Sequence, residues 1–354
     1  MNFIYDMLGI PFGFVLKLIF DTVGNYGAAL ILFTLFARLL MLPTSLTQQK
    51  GTAKTQRLQP KIRKIQEKYK GDNRRIQEET QALYQREGHN PLNAGCLPML
   101  IQMPIIFGLV AVIYKPLTYA LEINDKDIAA LTGIIAEVFP KLAKGRTIEL
   151  TVIENIGMIK ALIARAAEIL GSNAGASNTI INEVFGLAGE EAVKLSAESI
   201  TKISGWLKEI SPASIQNITN FNFRFLGMEL GKVPNKGKFD ELWLIPILSG
   251  VTSLMSGVFT WFKQRQTNPE MAKNPTMGCM TFGMPLFSVY FTFLFPVGIG
   301  IYWIASNIFA FIQTVVISFT HSPQKMTAKL MIEETIQRRS REENLKRVAS
   351  MKDK

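Results

Sequence analysis

The sequence predicts an all-α integral membrane protein: a five-span transmembrane helical bundle with a cytoplasmic helical hairpin and an extracytoplasmic helical insertion. Three observations carry this prediction. The 354 residues are 48% hydrophobic, with a mean hydropathy of +0.17, too apolar for an ordinary soluble chain. The apolar residues cluster in runs of roughly 20, enough for a helix to cross a hydrocarbon core of about 30 Å. Basic residues, in a chain of net charge +11, concentrate in three segments that a five-span path places on one side.

In chain order, residues 1–22 lack the basic start of a signal peptide, carry Asp6 early and interrupt their apolar run at Pro11. They read as an amphipathic segment at the membrane interface, with a short sixth span as the alternative. The spans are placed at 23–43, 95–117, 241–263, 277–295 and 297–318, the last two joined by a tight turn at Pro296. Segment 44–93, with Leu58, Ile62, Ile65 and Tyr69 at helical spacing, reads as two helices around "KGDN". Pro60 should weaken or kink the first of them.

Lys and Arg in short loops set orientation. Eleven of them lie in 44–93, three more (Lys263, Arg265, Lys273) around the loop 264–276, and nine in the tail 319–354. These segments are therefore assigned to the cytoplasm, with the N-terminus outside. The segment 118–240 then falls outside. It contains helix-periodic stretches, "ENIGMIKALIARAAEIL" and "EEAVKLSAESITKISGWLKEI", and reads as a helical domain.

Each span carries a polar stripe on a helical wheel. In the first, Gly27, Thr34, Arg38 and Ser45 align; the second contributes Gln102. In the third, Ser249, Thr252, Ser253, Ser256 and Thr260 share an arc. Thr281, Ser288 and Thr292 share a face of the fourth, and Trp303, Ser306, Asn307, Gln313 and Thr314 a face of the fifth. A charge inside hydrocarbon costs about 3 kcal/mol on insertion scales, so Arg38 needs compensation. Convergent stripes would supply it as a wet groove. The plainer readings are Ser and Thr as interhelical glue and Arg38 snorkelling to the interface. No span carries an internal Asp or Glu, which argues against a proton relay or ion-coupled site. The two cysteines, Cys96 and Cys279, and the two histidines, His89 and His321, form no metal-ligand or nucleophile–base spacing, so neither a metal, a cofactor nor an enzyme activity is expected.

The stretches "GNYGAALILFTLFARLLMLPTSLTQQK", "LQPKIRKIQEKY", "NPLNAGCLPMLIQMPIIFGLVAVIY" and "FPVGIGIYWIASNIFAFIQ" closely resemble the YidC/Oxa/Alb membrane protein insertase family, and "FRFLGMELGKVP" resembles its segment ahead of the third span. The resemblance implies five core spans, an N-out/C-in topology in a bacterial plasma membrane, and a cytoplasm-open hydrophilic groove whose essential arginine is Arg38. It also implies that hairpin 44–93 receives substrates; the basic residues Lys61, Arg63 and Lys64 are candidates, against the alternative of a lipid-headgroup-facing surface. Two departures stand out. The large periplasmic domain of Gram-negative relatives and a lipoprotein signal are not expected here, and residues 121–220 replace a short outer loop.

The expected function is an insertase and chaperone for nascent membrane proteins, working alone or with the Sec translocon. Its groove would comprise Arg38, Thr34, Gln102, Ser249, Ser253, Ser256, Thr260, Trp303, Asn307 and Gln313. Partners would be nascent chains and the bilayer. The basic tail is expected to touch either ribosomal RNA phosphates, without a specific nucleic-acid target, or anionic lipid. A small-solute transporter or channel is the alternative; the missing carboxylates and the lack of evident inverted halves weigh against it.

Overall fold

A computed structural model describes residues 2–88, 97–140, 147–235, 237, 239–267 and 275–320, and beyond them 328, 331–332, 335–336 and 338–343. Cys96, His89, His321, most of the 264–276 loop and most of the tail lie outside the described residues. Helices dominate: α1 Asn2–Val23, α2 Tyr26–Leu40, α3 Leu42–Lys68, α4 Asn73–Arg86, α5 Leu97–Tyr114, α6 Pro116–Tyr119, α7 Asp125–Val138, α8 Ile148–Glu154, α9 Ile156–Ala164, α10 Ala166–Gly171, α11 Ala174–Phe185, α12 Ala197–Glu209, α13 Pro212–Asn220, α14 Leu244–Thr267, α15 Pro275–Thr292 and α16 Val297–Thr320. A two-residue-per-strand hairpin, β1 Arg224–Phe225 and β2 Met228–Glu229, precedes α14.

Among the described residues, two helical segments, Glu241–Lys263 and Val297–Thr320, are long and apolar enough to cross a membrane. A third candidate is the bent pair Tyr26–Leu40 and Leu42–Thr55, which turns by 49° at Met41. The sequence placed the end of this first span at 43; the helix stops earlier because Pro43 enters the first turn of α3, where its missing N–H costs nothing. α5 contributes a shorter apolar stretch, Gln102–Tyr114. α15 ends at Thr292, short of the expected 295.

The chain divides into two compact units. The first comprises Met1–Thr34, Pro104–Ser249 and Ser288–Ile304. Here α1 runs unbroken through Pro11. Tertiary packing overrides the lost hydrogen bond: Gly9 and Gly13 lie flush on Tyr119, and a Cβ at Gly13 would come within 2.4 Å of the Tyr119 carbonyl oxygen. Phe12 stacks edge-on against Phe33 at 5.5 Å. An aromatic knot of Phe20, Tyr26, Phe221 and Phe223, with centroids 5.2 to 6.0 Å apart, ties the start of α2 to the segment after α13.

The 121–220 region is a packed helical domain with its own core, including Leu131, Ile134, Ile135, Val152, Ile159, Leu162, Ile181 and Ile203. Side-chain caps start its helices. Asn124 accepts from Lys126 N at 3.0 Å, Asn173 from Ala176 N at 2.9 Å and Ser196 from Ser199 N at 3.1 Å. Gly186, at φ 65°, ends α11. The stretch from Glu154, read as one helix-periodic run, breaks at Asn155 and Arg165 into α8, α9 and α10. The Ser196 cap likewise delays α12 to Ala197, well inside its periodic stretch.

Two buried carboxylates fasten this domain. Asp127 accepts from Ser214 Oγ at 2.5 Å and Ser211 N at 3.3 Å, at the start of α13. Glu149 accepts from Leu117 N (2.9 Å), Thr118 N (3.1 Å) and Thr118 Oγ1 (2.7 Å), and so locks α8 to the short α6. Burial pushes the Glu149 carboxyl above its ordinary range, against the opposing pull of those hydrogen bonds and of Lys115.

The second unit comprises Leu35–Met103, Gly250–Phe287 and Ala305–Lys354. Its hairpin pairs α3 with α4. Ala53, Leu58 and Ile62 are buried on α3, while α4 buries no residue. α3 continues through Pro60, whose flanking residues Leu58 and Ile62 are held in that seam.

Because the folded state holds the Glu149 proton to higher pH than the unfolded chain does, this group's contribution to stability falls as pH rises above the ordinary carboxylate value of about 4.3. Glu149→Gln can keep an oxygen acceptor for the two backbone amides and offer an N–H to Thr118. The variant should melt with a shallower pH dependence than the wild type between mildly acidic and neutral pH. Thermal unfolding of the purified chain in detergent measures this; parallel pH profiles would refute the assignment.

Candidate functional site

A helix that must present both lipid and polar neighbours sorts its side chains by face. α16 does so. Ile308, Ile312, Val316 and Phe319 are exposed along one side, while Ser306, Asn307 and Gln313 lie about the opposite side at 100° per residue. Consecutive positions 306 and 307 point to different neighbours within the second unit. Ser306, 2% exposed, accepts a short hydrogen bond from Arg38 Nη2 on the last turn of α2. Asn307 Nδ2 donates to Thr252 Oγ1 on α14 at 3.3 Å. One turn along α14, Ser256 Oγ donates to the Asn307 carbonyl at 3.4 Å.

The result is a polar seam formed by Arg38, Thr252, Ser256, Ser306 and Asn307. Arg38 is half-buried and reaches across to another helix. A residue that merely snorkels would instead follow its own helix toward water. Beyond the seam, Phe259 and Phe311 close edge-to-face at 5.4 Å. Gln313, half-buried, holds a buried Nε2 with no hydrogen-bond partner among the described residues. A buried unpaired donor costs roughly 1–3 kcal/mol, so it is a place where an acceptor is welcome. Ser253 and Gln102 are half-buried in the same unit, and Thr260 returns its hydroxyl to Ser256 O at 2.9 Å.

Three expected groove residues have other employment in the first unit. Thr34 is buried and spends its hydroxyl on Leu30 O at 2.6 Å. Ser249 shares a 2.6 Å hydrogen bond with Ser288, the interhelical glue read as the plainer alternative. Trp303 packs against Phe291 and Phe295, at 5.9 and 6.1 Å. Sequence reasoning placed Ser306 and Thr252 on the stripes but left them out of the site. Their partners, Arg38 and Asn307, are fixed by the register between helices, which a single-helix wheel does not carry.

On the hairpin, Lys61, Arg63 and Lys64 are exposed. Lys61 pairs with Glu87, and Arg63 with Glu67 at 2.9 Å. No group of three or more His, Cys, Asp or Glu comes together among the described residues. The seam offers donors and hydroxyls for binding, and it contains no carboxylate or imidazole to act as a base.

The family model described as 60Kd inner membrane protein matches residues 18–165 and 201–325, well over half of the chain. The chain belongs to this family. It is the YidC/Oxa/Alb family that the sequence resembles, and the matched residues take in α2, the hairpin, α5 and α14 to α16. The gap at 166–200 falls in the helical domain, across α10, α11 and the start of α12. Similar proteins named membrane protein insertase YidC occur in Treponema denticola (23% identical, 86% of this chain, 36% of that protein) and in Fusobacterium nucleatum (37%, 32% and 55%). A third is in Syntrophus aciditrophicus (42%, 33% and 21%). The matched part is thus about a fifth to a half of these relatives' own length.

The seam predicts a measurable coupling. Asn307→Leu and Thr252→Val should each destabilise the chain. In a double-mutant cycle by denaturant titration they should couple by about 0.6 kcal/mol, and by no more than about 1.7. Strict additivity would mean that the 3.3 Å contact contributes nothing.

Proposed function

We propose that the chain is a membrane protein insertase and chaperone, acting alone or with the Sec translocon, in a bacterial inner membrane. The reading takes the five spans at 23–43, 95–117, 241–263, 277–295 and 297–318, with the N-terminus outside and the basic hairpin and tail in the cytoplasm. The observation that carries it is Arg38: a cation in an apolar helix, held by Ser306 beside the Asn307–Thr252 contact, in a chain whose relatives are named insertases.

The mechanism follows from solvation. A nascent span with a short polar tail docks on hairpin 44–93, where eleven Lys and Arg outnumber five Asp and Glu. Lys61 and Arg63 meet the tail by exchanging their own acids, since exposed ion pairs are worth only about 0–1 kcal/mol; Lys64 adds a third cation. The tail then enters a groove lined by Arg38, Ser256, Asn307 and Gln313, with Gln102, Ser253 and Thr260 of the same unit. Guanidinium and amide donors replace part of its lost hydration. Its apolar segment leaves sideways into lipid, and that transfer drives the step without ATP or a cofactor. The basic tail, 319–354, holds a translating ribosome or anionic lipid close to the site.

The test is insertion, by the reconstituted chain in liposomes, of matched single-span substrates carrying zero to three tail acids. Arg38→Lys should keep much of the activity. Arg38→Ala should lose it increasingly as acids are added. A loss independent of tail acidity would make Arg38 a structural anchor.

A further inference from the structure

The hairpin at 224–229 breaks two rules at one residue. Arg224 pairs with Glu229 and Phe225 with Met228, leaving a two-residue turn. Both turn residues have positive φ, Leu226 at 50° and Gly227 at 81°. Such turns favour Asn or Asp at the first position, because an L-residue with a bulky Cβ is strained there. Leu226 accepts that strain and is also 80% exposed. Strain and apolar exposure combined at one tip suggest a use for it.

Its height along the spans identifies the use. The amides of Val297 and Gly298, which open α16, donate to Lys232 O at 2.8 Å and Leu230 O at 2.9 Å. At the start of α2, Asn25 Nδ2 donates to Arg224 O at 2.9 Å, and a Cβ on Gly27 would sit 2.4 Å from Phe225 Cβ. The hairpin therefore lies across the first turns of two helices that enter the bilayer. A strand advances about 3.3 Å per residue, and a headgroup layer is roughly 5–7 Å deep. Leu226, next to Phe225, falls within that layer. Arg224 and Lys232 both lean on Glu229, at 2.7 and 2.8 Å, and both are exposed, as cations that meet lipid phosphates would be. Phe239, 77% exposed, packs on Trp243 just before α14, an aromatic pair of the kind enriched at membrane interfaces.

We propose that the 224–229 hairpin is a membrane anchor whose Leu226 tip inserts into the headgroup–acyl boundary of the leaflet at which α2 and α16 begin. The partner is the lipid surface itself. The anchor holds the entry ends of both helices at fixed depth and fixes where the helical domain meets the membrane. It rests on α2 and α16 crossing the bilayer and needs neither the groove nor insertase activity.

The test is a nitroxide on Leu226→Cys in the full chain, with Cys96 and Cys279 replaced by serine, reconstituted in phosphatidylethanolamine–phosphatidylglycerol vesicles. Thr179→Cys, exposed on α11, is the aqueous reference. At 226, collisions with dissolved oxygen should rise and collisions with a water-soluble nickel chelate should fall severalfold relative to 179. Leu226→Trp, which keeps the apolar tip, should gain fluorescence that lipids brominated near the glycerol end of the chain quench. Nickel accessibility equal to that at 179, or exclusion of both reagents as in a protein-covered site, would overturn the proposal. Because neither readout uses a substrate, a failed insertion assay leaves this result standing.

Discussion

A guanidinium in an apolar helix is the constraint around which this chain is organised. Arg38 lies in one of the five expected spans, none of which carries an internal carboxylate. It is accommodated by a hydroxyl, Ser306, on a helix that turns its next residue, Asn307, to Thr252. That hydroxyl meets one guanidinium N–H and carries no charge of its own.

The opposite ends of the same helices are held by different means. Backbone hydrogen bonds from Val297 and Gly298, the aromatic knot around Tyr26 and the Glu149 clasp give the first unit directional, fully paired contacts. In the second unit, the α3–α4 hairpin keeps a narrow buried seam and exposed ion pairs. Few buried apolar contacts mean low local stability.

Much of this was legible in the sequence, for physical reasons. Long apolar runs and helical stripes survive any tertiary context, so α14 and α16, the hairpin turn at Gly71 and the helical nature of 121–220 could all be read in advance. At Pro11 the close approach of Gly9 and Gly13 to Tyr119 accompanies an unbroken α1, and α3 continues through Pro60 beside its buried Leu58 and Ile62. Asn155 and Arg165 break a periodic stretch that contains no proline. Wheels correctly grouped Arg38, Ser306 and Asn307 as polar. They could not say that Thr34 turns its hydroxyl inward to Leu30 or that Trp303 is occupied by two phenylalanines, because those are matters of register between helices.

The central claim is that the seam receives a polar guest from a nascent chain. Photo-crosslinking from Ser256 and Gln313, compared with the outward-facing Ile312 on α16 and Leu286 on α15, during insertion of a stalled single-span substrate with an acidic tail, tests it most directly. The account predicts adducts to the tail from 256 and 313, adducts to lipid or none from 286 and 312, and loss of the tail adducts in Arg38→Ala. Tail adducts of equal yield from both faces, or seam adducts that survive the loss of Arg38, would contradict it.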